Sequence, residues 1–113
     1  IFVAEDKDKD NKTVKLGASI SSIQLMLYLG GPYLYLQELV VDDAARDKGV
    51  GSALVQHLIN YSKEHNMVAI DLIQPENNCA CHEERTRFYT RNGFEMGGCY
   101  RYINFKDFVK VID

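Results

Sequence analysis

Along the first third of the chain, apolar residues recur at every second position. Ile1 to Ala4 is apolar, and within Val14 to Leu29 the alternation runs Leu16, Ala18, Ile20 and then Ile23, Leu25, Leu27, Leu29, the period of strands with one buried face. The phase slips once between the two series. A slip of one residue turns every later side chain to the other face unless an extra residue absorbs it, so a bulge or bend is expected near Ser21 and Ser22. The mixed charges of Glu5 to Lys12 read as a solvated hairpin turn between the first two strands. Gly30, Gly31 and Pro32 force a second turn. Tyr33 to Val41 then resumes as a strand with so few polar residues that both its faces are expected to be buried, Gln37 and Glu38 being the exceptions.

After Asp42 to Lys48 breaks the pattern, Leu54, Val55, Leu58, Ile59 and Tyr61 return at helical spacing. They predict an amphipathic helix over Gly51 to His65 with Asn66 as its C-terminal cap. Met67 to Ile73 reads as a short strand, Pro75 to Cys81 as loop, Glu83 to Asn92 as a helix stopped by Gly93, and Tyr100 to Phe105 as a last strand. Antiparallel strands followed by alternating strands and helices imply an α/β fold with a mixed sheet (α+β).

A length of 113 residues with 46% hydrophobic and 26% charged content fits one domain, residues 1–113, around a single core. The net charge of -3 offers no basic field to a nucleic-acid backbone, and no segment approaches the ~18 apolar residues a membrane span needs, so neither is an expected partner. Three cysteines make an odd number for a disulfide framework, and no basic-then-apolar stretch at the start of the sequence suggests a signal peptide, so a cytoplasmic setting is expected. The chain opens at Ile1, inside a strand pattern, as though an earlier segment were missing.

Chemistry concentrates in Leu39-Val40-Val41-Asp42-Asp43-Ala44-Ala45-Arg46-Asp47-Lys48-Gly49-Val50-Gly51-Ser52-Ala53-Leu54, a strand leading through a basic, glycine-bearing loop into a helix. Such a loop can hold a phosphate. Glycine lets the backbone approach the anion, the first helical N–H groups point at it, and the helix dipole favours its charge. The stretch lacks the G-x-x-x-x-G-K-[ST] of a P-loop. A dinucleotide fingerprint needs G-x-G-x-x-G hard against its strand. Here Asp42 to Lys48 intervenes and Leu54 replaces the third glycine, although Asp71 stands where the ribose-binding acid of that fold would.

Arg46-x-x-Gly49-x-Gly51, following Leu39-Val40-Val41, resembles the Q/R-x-x-G-x-G/A pyrophosphate loop of the GNAT superfamily of N-acetyltransferases. Downstream, Arg87-Phe88-Tyr89-Thr90-Arg91-Asn92-Gly93-Phe94 resembles the same family's F-Y-x-x-x-G-F segment. The resemblance covers roughly Ile1 to Phe105. It implies a GNAT-like fold, a mostly antiparallel sheet with flanking helices and a splayed central strand pair, without the first strand and helical pair that the family carries ahead of this point. It also implies acetyl-CoA as co-substrate and no metal. Leu39, Val40 and Val41 would pair through their backbone with the pantetheine arm, while Arg46, Asp47, Lys48, Gly49, Val50, Gly51 and Ser52 would hold the diphosphate. Tyr89 would be the general acid that protonates the departing thiolate. The family often has an Asn seven residues ahead of this tyrosine, where this chain has His82, which is therefore left out of the cofactor set.

Each role has a plainer counterpart. A strand, a solvated helix start and a packed aromatic also describe these residues. Glu38 is the candidate for accepting the amine proton, because a carboxylate in an apolar central strand is costly to bury without a partner. A salt bridge or a contact to a substrate ammonium explains it comparably. Tyr35 and Gln37, expected on the face opposite Glu38, are further candidates for substrate contact. Cys79-Ala80-Cys81-His82, with Cys99 later, lacks the spacing of a zinc knuckle or of a c-type haem motif, and His57 and His65 fall on the polar face of their helix. The function expected is acetyl transfer from acetyl-CoA to a primary amine of a small molecule or peptide by direct attack. A non-catalytic acyl-CoA sensor and a dinucleotide-dependent oxidoreductase are the alternatives. The acidic balance favours a cationic acceptor, and Tyr100, Tyr102, Phe105 and Phe108 could either close the core or form a homodimer interface.

Overall fold

The computed structural model describes residues 1–27, 30–74 and 82–95, apart from the side chains of Met26 and His82. The loop expected over Pro75 to Cys81, the strand expected over Tyr100 to Phe105, and the residues Cys79, Cys81, Cys99 and Phe108 lie outside that set.

The alternating N-terminal pattern forms three antiparallel strands, β1 (Phe2–Lys7), β2 (Thr13–Met26) and β3 (Gly31–Val41). The charged turn is tighter than the sequence suggests. Asp8 Oδ1 accepts the N–H groups of Asp10 and Lys12, each at 2.9 Å, and Asn11 takes the left-handed conformation at φ 59°, so Glu5 to Lys7 stay in β1. At the second turn the Leu27 carbonyl accepts the Gly30 N–H at 3.0 Å. Gly31 and Pro32, expected in that turn, are instead already paired with Met26 and Leu25.

Two bulges set the faces of this sheet. Ala4 lies opposite Gly17 but Glu5 opposite Lys15, which makes Leu16 an extra residue on β2. Ile20 lies opposite Glu38 but Ser21 opposite Leu36, which makes Gln37 an extra residue on β3. The slip anticipated near Ser21 is present, with its additional residue on the partner strand. Without it Leu36 and Leu39 would face opposite ways. With it, Leu34, Leu36, Leu39 and Val41 all face one helix.

That helix is α1 (Val50–Glu64), which packs across β1, β2 and β3 with Leu54, Val55 and Leu58 buried. Its apolar residues recur at the spacing expected of one helical face, and Asn66 follows it at φ 57°, where a left-handed residue ends a helix. Leu34, Leu36 and Leu58 form one core cluster, and Ala45, Val50 and Leu54 form a second beneath the start of α1. The other face of β3 meets the expectation of a strand buried on both sides only ahead of the bulge, where Tyr33 is buried; at Glu38 and Val40 it is exposed.

α1 is the crossover into β4 (Ile70–Leu72), which lies parallel to β3 and completes the order β1-β2-β3-β4. β4 is shorter than Met67 to Ile73 because pairing is confined to Leu34–Leu36 against Ile70–Leu72. Met67 and Val68 give their N–H groups to Ser62 and Pro32 carbonyls instead, each at 2.9 Å. Last in the described chain comes α2 (His82–Arg91).

Candidate functional site

Beyond Leu36 the paired strands part. β3 continues through Gln37 to Val41, while β4 makes its last pair at Leu72. Two hydrogen bonds fix which way the β3 backbone points along this stretch. Leu34 donates its N–H to Ala69 O at 3.0 Å, toward β4, and Asp42 donates to Leu16 O at 2.8 Å, toward β2. Residues of like parity would point the same way in a regular strand, so the reversal comes from the bulge at Gln37. Counting back from Asp42, Leu39 and Val41 present their N–H and C=O groups to the side that β4 has left. Polar backbone facing an opening between strands is an acceptor and donor rail for an extended, amide-bearing ligand.

The loop after β3 begins with a short 3₁₀ turn, Asp43–Ala45, whose Ala45 is buried beneath α1. Arg46 then pairs through Nε with Asp43 Oδ1 at 3.0 Å, both side chains being exposed, an interaction worth about 0–1 kcal/mol that a stronger anion can displace. Asp47 and Gly49 take left-handed conformations at φ 61° and 78°. Gly49 is the N-cap of α1 and supplies no capping side chain. The first internal bond of α1 runs from the Ala53 N–H to the Gly49 carbonyl at 2.9 Å, so the N–H groups of Val50, Gly51 and Ser52 lie ahead of it. No acidic residue occupies the first turn. Donors, dipole and the neighbouring Arg46 and Lys48 favour an anion there.

The second motif folds against the first. α2 ends with the Gly93 N–H on the Thr90 carbonyl at 3.1 Å and the Phe94 N–H on the Tyr89 carbonyl at 3.0 Å, with Gly93 at φ 95°. This is a Schellman ending, and the ring of Phe94 closes on that of Tyr89 at 5.5 Å. The spacing of F-Y-x-x-x-G-F thus has a structural cause: the glycine is the left-handed residue, and the two aromatics are the apolar pair that spans it. Phe88 lies over Gly51, where a Cβ would stand 3.1 Å from its Cζ, and Asn92 Nδ2 donates to Ser52 Oγ at 3.3 Å. Asn92 reads in sequence only as a helix end, and nothing in the one-dimensional pattern joins it to Ser52.

Tyr89 is half-buried against Leu34, Leu36 and Leu58. Burial pushes its pKa above the ordinary tyrosine value, an effect the nearby Arg85 guanidinium opposes, so at neutral pH the phenol keeps its proton. Glu38 and Tyr35 lie opposite Ile20 and Ser22, which places both on the face away from α1. The bulge thereby brings Tyr35 to the face of Glu38, contrary to the expectation of opposite faces. Glu38 is exposed, so its carboxylate carries no burial cost. Tyr89 and Glu38 consequently flank β3 from opposite sides. His57 and His65 are exposed as expected, with rings against Phe2 and Tyr61. No metal-binding group of His, Cys, Asp or Glu occurs among the described residues. Two shallow hollows, one beside Phe2, Ala4 and His57 and one beside Phe2, Ser19 and Tyr61, include no residue of the Arg46 to Ser52 loop.

A model of the acetyltransferase (GNAT) domain family matches residues 1–96. A comparison with curated protein sequences found no match. Among solved structures the fold is similar to an acetyltransferase of Trypanosoma brucei, with 22% identity and a TM-score of 0.65 over 85% of this chain and 62% of that one. It is also similar to a ribosomal-protein-alanine N-acetyltransferase of Brucella melitensis, with 18% identity and a TM-score of 0.68 over 89% and 68% of the two chains. A third is an aminoglycoside acetyltransferase from an uncultured soil metagenomic sample, with 18% identity and a TM-score of 0.67 over 81% and 59%. At these identities the likeness is one of fold. The chain spans 59%, 52% and 62% of the length of three such structures.

Proposed function

The chain belongs to the acetyltransferase (GNAT) family, an acyl-transferring family, and from that premise we propose that residues 1–113 act as one domain that moves an acetyl group from acetyl-CoA to a primary amine. The acceptor is a small molecule or a peptide, and the amine attacks directly in a ternary complex. The observation that carries this reading is the parting of β3 from β4 beyond Leu36, immediately ahead of the Gly49-capped start of α1.

The diphosphate of the co-substrate sits on the N–H groups of Val50, Gly51 and Ser52, with Asp47 and Gly49 shaping the loop. Arg46 exchanges Asp43 for the anion, and Lys48 adds charge. The pantetheine arm runs along Leu39, Val40 and Val41 and bonds to the backbone of Leu39 and Val41 in the gap. A backbone N–H there faces the thioester oxygen, where it stabilises developing oxyanion charge. The amine nitrogen bonds to the acetyl carbon, the C–S bond breaks, and the sulfur takes the proton of Tyr89. The excess amine proton leaves to Glu38, directly or through water. Tyr35, Gln37 and Glu38 hold the acceptor on the exposed face of β3, where an acidic side chain suits a cationic amine. Neutral Tyr89 fits the acid role because a thiolate of free pKa near 8.5 needs only a modest donor. No described helix is long and apolar enough to cross a membrane.

Thermal unfolding with a millimolar-scale excess of acetyl-CoA, CoA or NAD tests the co-substrate, since a ligand of the folded state alone raises stability by mass action. Stabilisation by both CoA species and not by NAD is expected. Stabilisation by NAD alone, or by none of the three, would overturn the reading.

A further inference from the structure

Asn92 ties the two motifs together through one atom. Its Nδ2 donates to the Phe88 carbonyl at 2.8 Å and to Ser52 Oγ at 3.3 Å. A carbonyl can only accept, so the Phe88 contact fixes the amide nitrogen, and not the amide oxygen, toward both partners. Ser52 is the third residue of α1, and a serine hydroxyl has one donor proton and two acceptor lone pairs. Because Asn92 makes the oxygen an acceptor on the α2 side, the hydroxyl proton is left for a partner elsewhere. The helix start that holds Ser52 carries three further N–H donors, no acid in its first turn and no capping side chain. The Phe88 ring packed on Gly51 keeps α2 against this turn.

We propose that Asn92 is a positioning residue for the co-substrate: by donating to Ser52 it directs the Ser52 hydroxyl as a fourth donor onto the diphosphate of CoA. The inference rests on the reading of the loop as a diphosphate site. An alanine at position 92 frees the serine hydroxyl to rotate and turns a fixed donor into one that must be ordered on binding.

The test is a double-variant cycle read by calorimetric titration of CoA into the full chain. Ser52→Ala removes the donor, and Asn92→Ala removes what aims it. Each is expected to weaken binding about fivefold to tenfold, the range of one lost hydrogen bond, and the double variant is expected to bind no more weakly than Ser52→Ala alone. Asn92→Leu, close to asparagine in size but with neither a donor nor a charge, is expected to weaken binding about as much as Asn92→Ala and to lose that effect once Ser52 is alanine. It supplies the same test should Asn92→Ala fail to fold. A merely structural Asn92 gives a loss that persists undiminished in the Ser52→Ala background, and that result overturns the proposal. So does wild-type affinity in Asn92→Ala. Failure of the parent reading is distinct, because the unaltered protein then shows no binding of CoA at all.

Discussion

The two faces of the same four-stranded sheet are put to different use. Toward α1 the strands present Phe2, Ala4, Leu34, Leu36, Leu39 and Val41, and there Leu34, Leu36, Leu54 and Leu58 are nearly inaccessible to water. Away from α1 they present Val3, Ile20, Tyr35, Glu38 and Val40, and among these Val40 remains 58% exposed. Both faces come from one alternating pattern, and what separates them is the helix that covers one of them. One side of β3 therefore carries the core, while the other buries Tyr33 ahead of the bulge and is open to solvent at Glu38 and Val40 beyond it. The bulge at Gln37 is the device that keeps these assignments constant along the strand and turns the Leu39 and Val41 backbone toward the gap.

The largest expected effect tests the covered face. Leu58 is fully buried between α1 and the sheet, and Leu58→Ala removes its packing and leaves a cavity, for a loss of about 2–5 kcal/mol by urea unfolding. A loss below about 1 kcal/mol would mean that the leucine cluster is not the core that holds α1 to the strands.

Tyr89 comes next, since it belongs to the covered face by packing and to the proposed chemistry by its hydroxyl. Tyr89→Phe keeps the ring against Leu34 and Leu36 and is expected to lower kcat about 100-fold, the low end for a lost general acid, with little change in the affinity for CoA. Unchanged turnover would remove the acid role. Alkaline unfolding adds a second measurement. Because the folded-state pKa is raised, the folded chain holds the phenolic proton more tightly than the unfolded one. The stability this contributes is full at neutral pH and is lost as pH climbs from the ordinary value of about 10 through the raised one. Tyr89→Phe should flatten that part of the decline.

On the face away from α1, Glu38→Gln keeps size and polarity but removes the charge. Because Glu38 is exposed, stability should be unchanged, and kcat/KM for a cationic amine should fall about tenfold, with part of the loss in kcat because the carboxylate takes the amine proton and part in KM because it holds the amine. A loss in KM alone would leave Glu38 as an acceptor contact without a proton-transfer role; no loss would take it out of the site.

Much of this contrast is legible in sequence, and where it is not, a tertiary contact decides. The ends of α1 and α2 fall within one residue of the limits set by Gly51, His65, Glu83 and Asn92, because capping is local chemistry. The phase slip at Ser21 announces a bulge, yet one strand's alternation cannot say which partner holds the extra residue, and it is Gln37. The same ambiguity hides the exposure of Glu38. An apolar strand is equally the pattern of one buried on both faces, and only what covers it tells the two apart. Of the candidate site, the loop is readable as an anion cradle from its glycines and bases. The contact between Ser52 and Asn92, forty positions apart, depends on how α2 docks and leaves no periodic trace.

The smallest effect bears most directly on whether the two faces differ in solution. Val40→Thr exchanges side chains of one shape and inserts a hydroxyl, a change that costs a packed core far more than an exposed strand because the oxygen must then be desolvated. Val40 is largely exposed, and threonine suits a strand as well as valine does, so a change within about 0.5 kcal/mol is expected by urea unfolding. Comparison with Val55→Thr, the same exchange at a buried position of α1, removes the chemistry of the substitution from the result, and there a loss several times larger is expected. Equal losses at the two positions would mean that the face of Glu38 and Tyr35 is buried after all, and an acceptor could not reach it without first displacing whatever lies there.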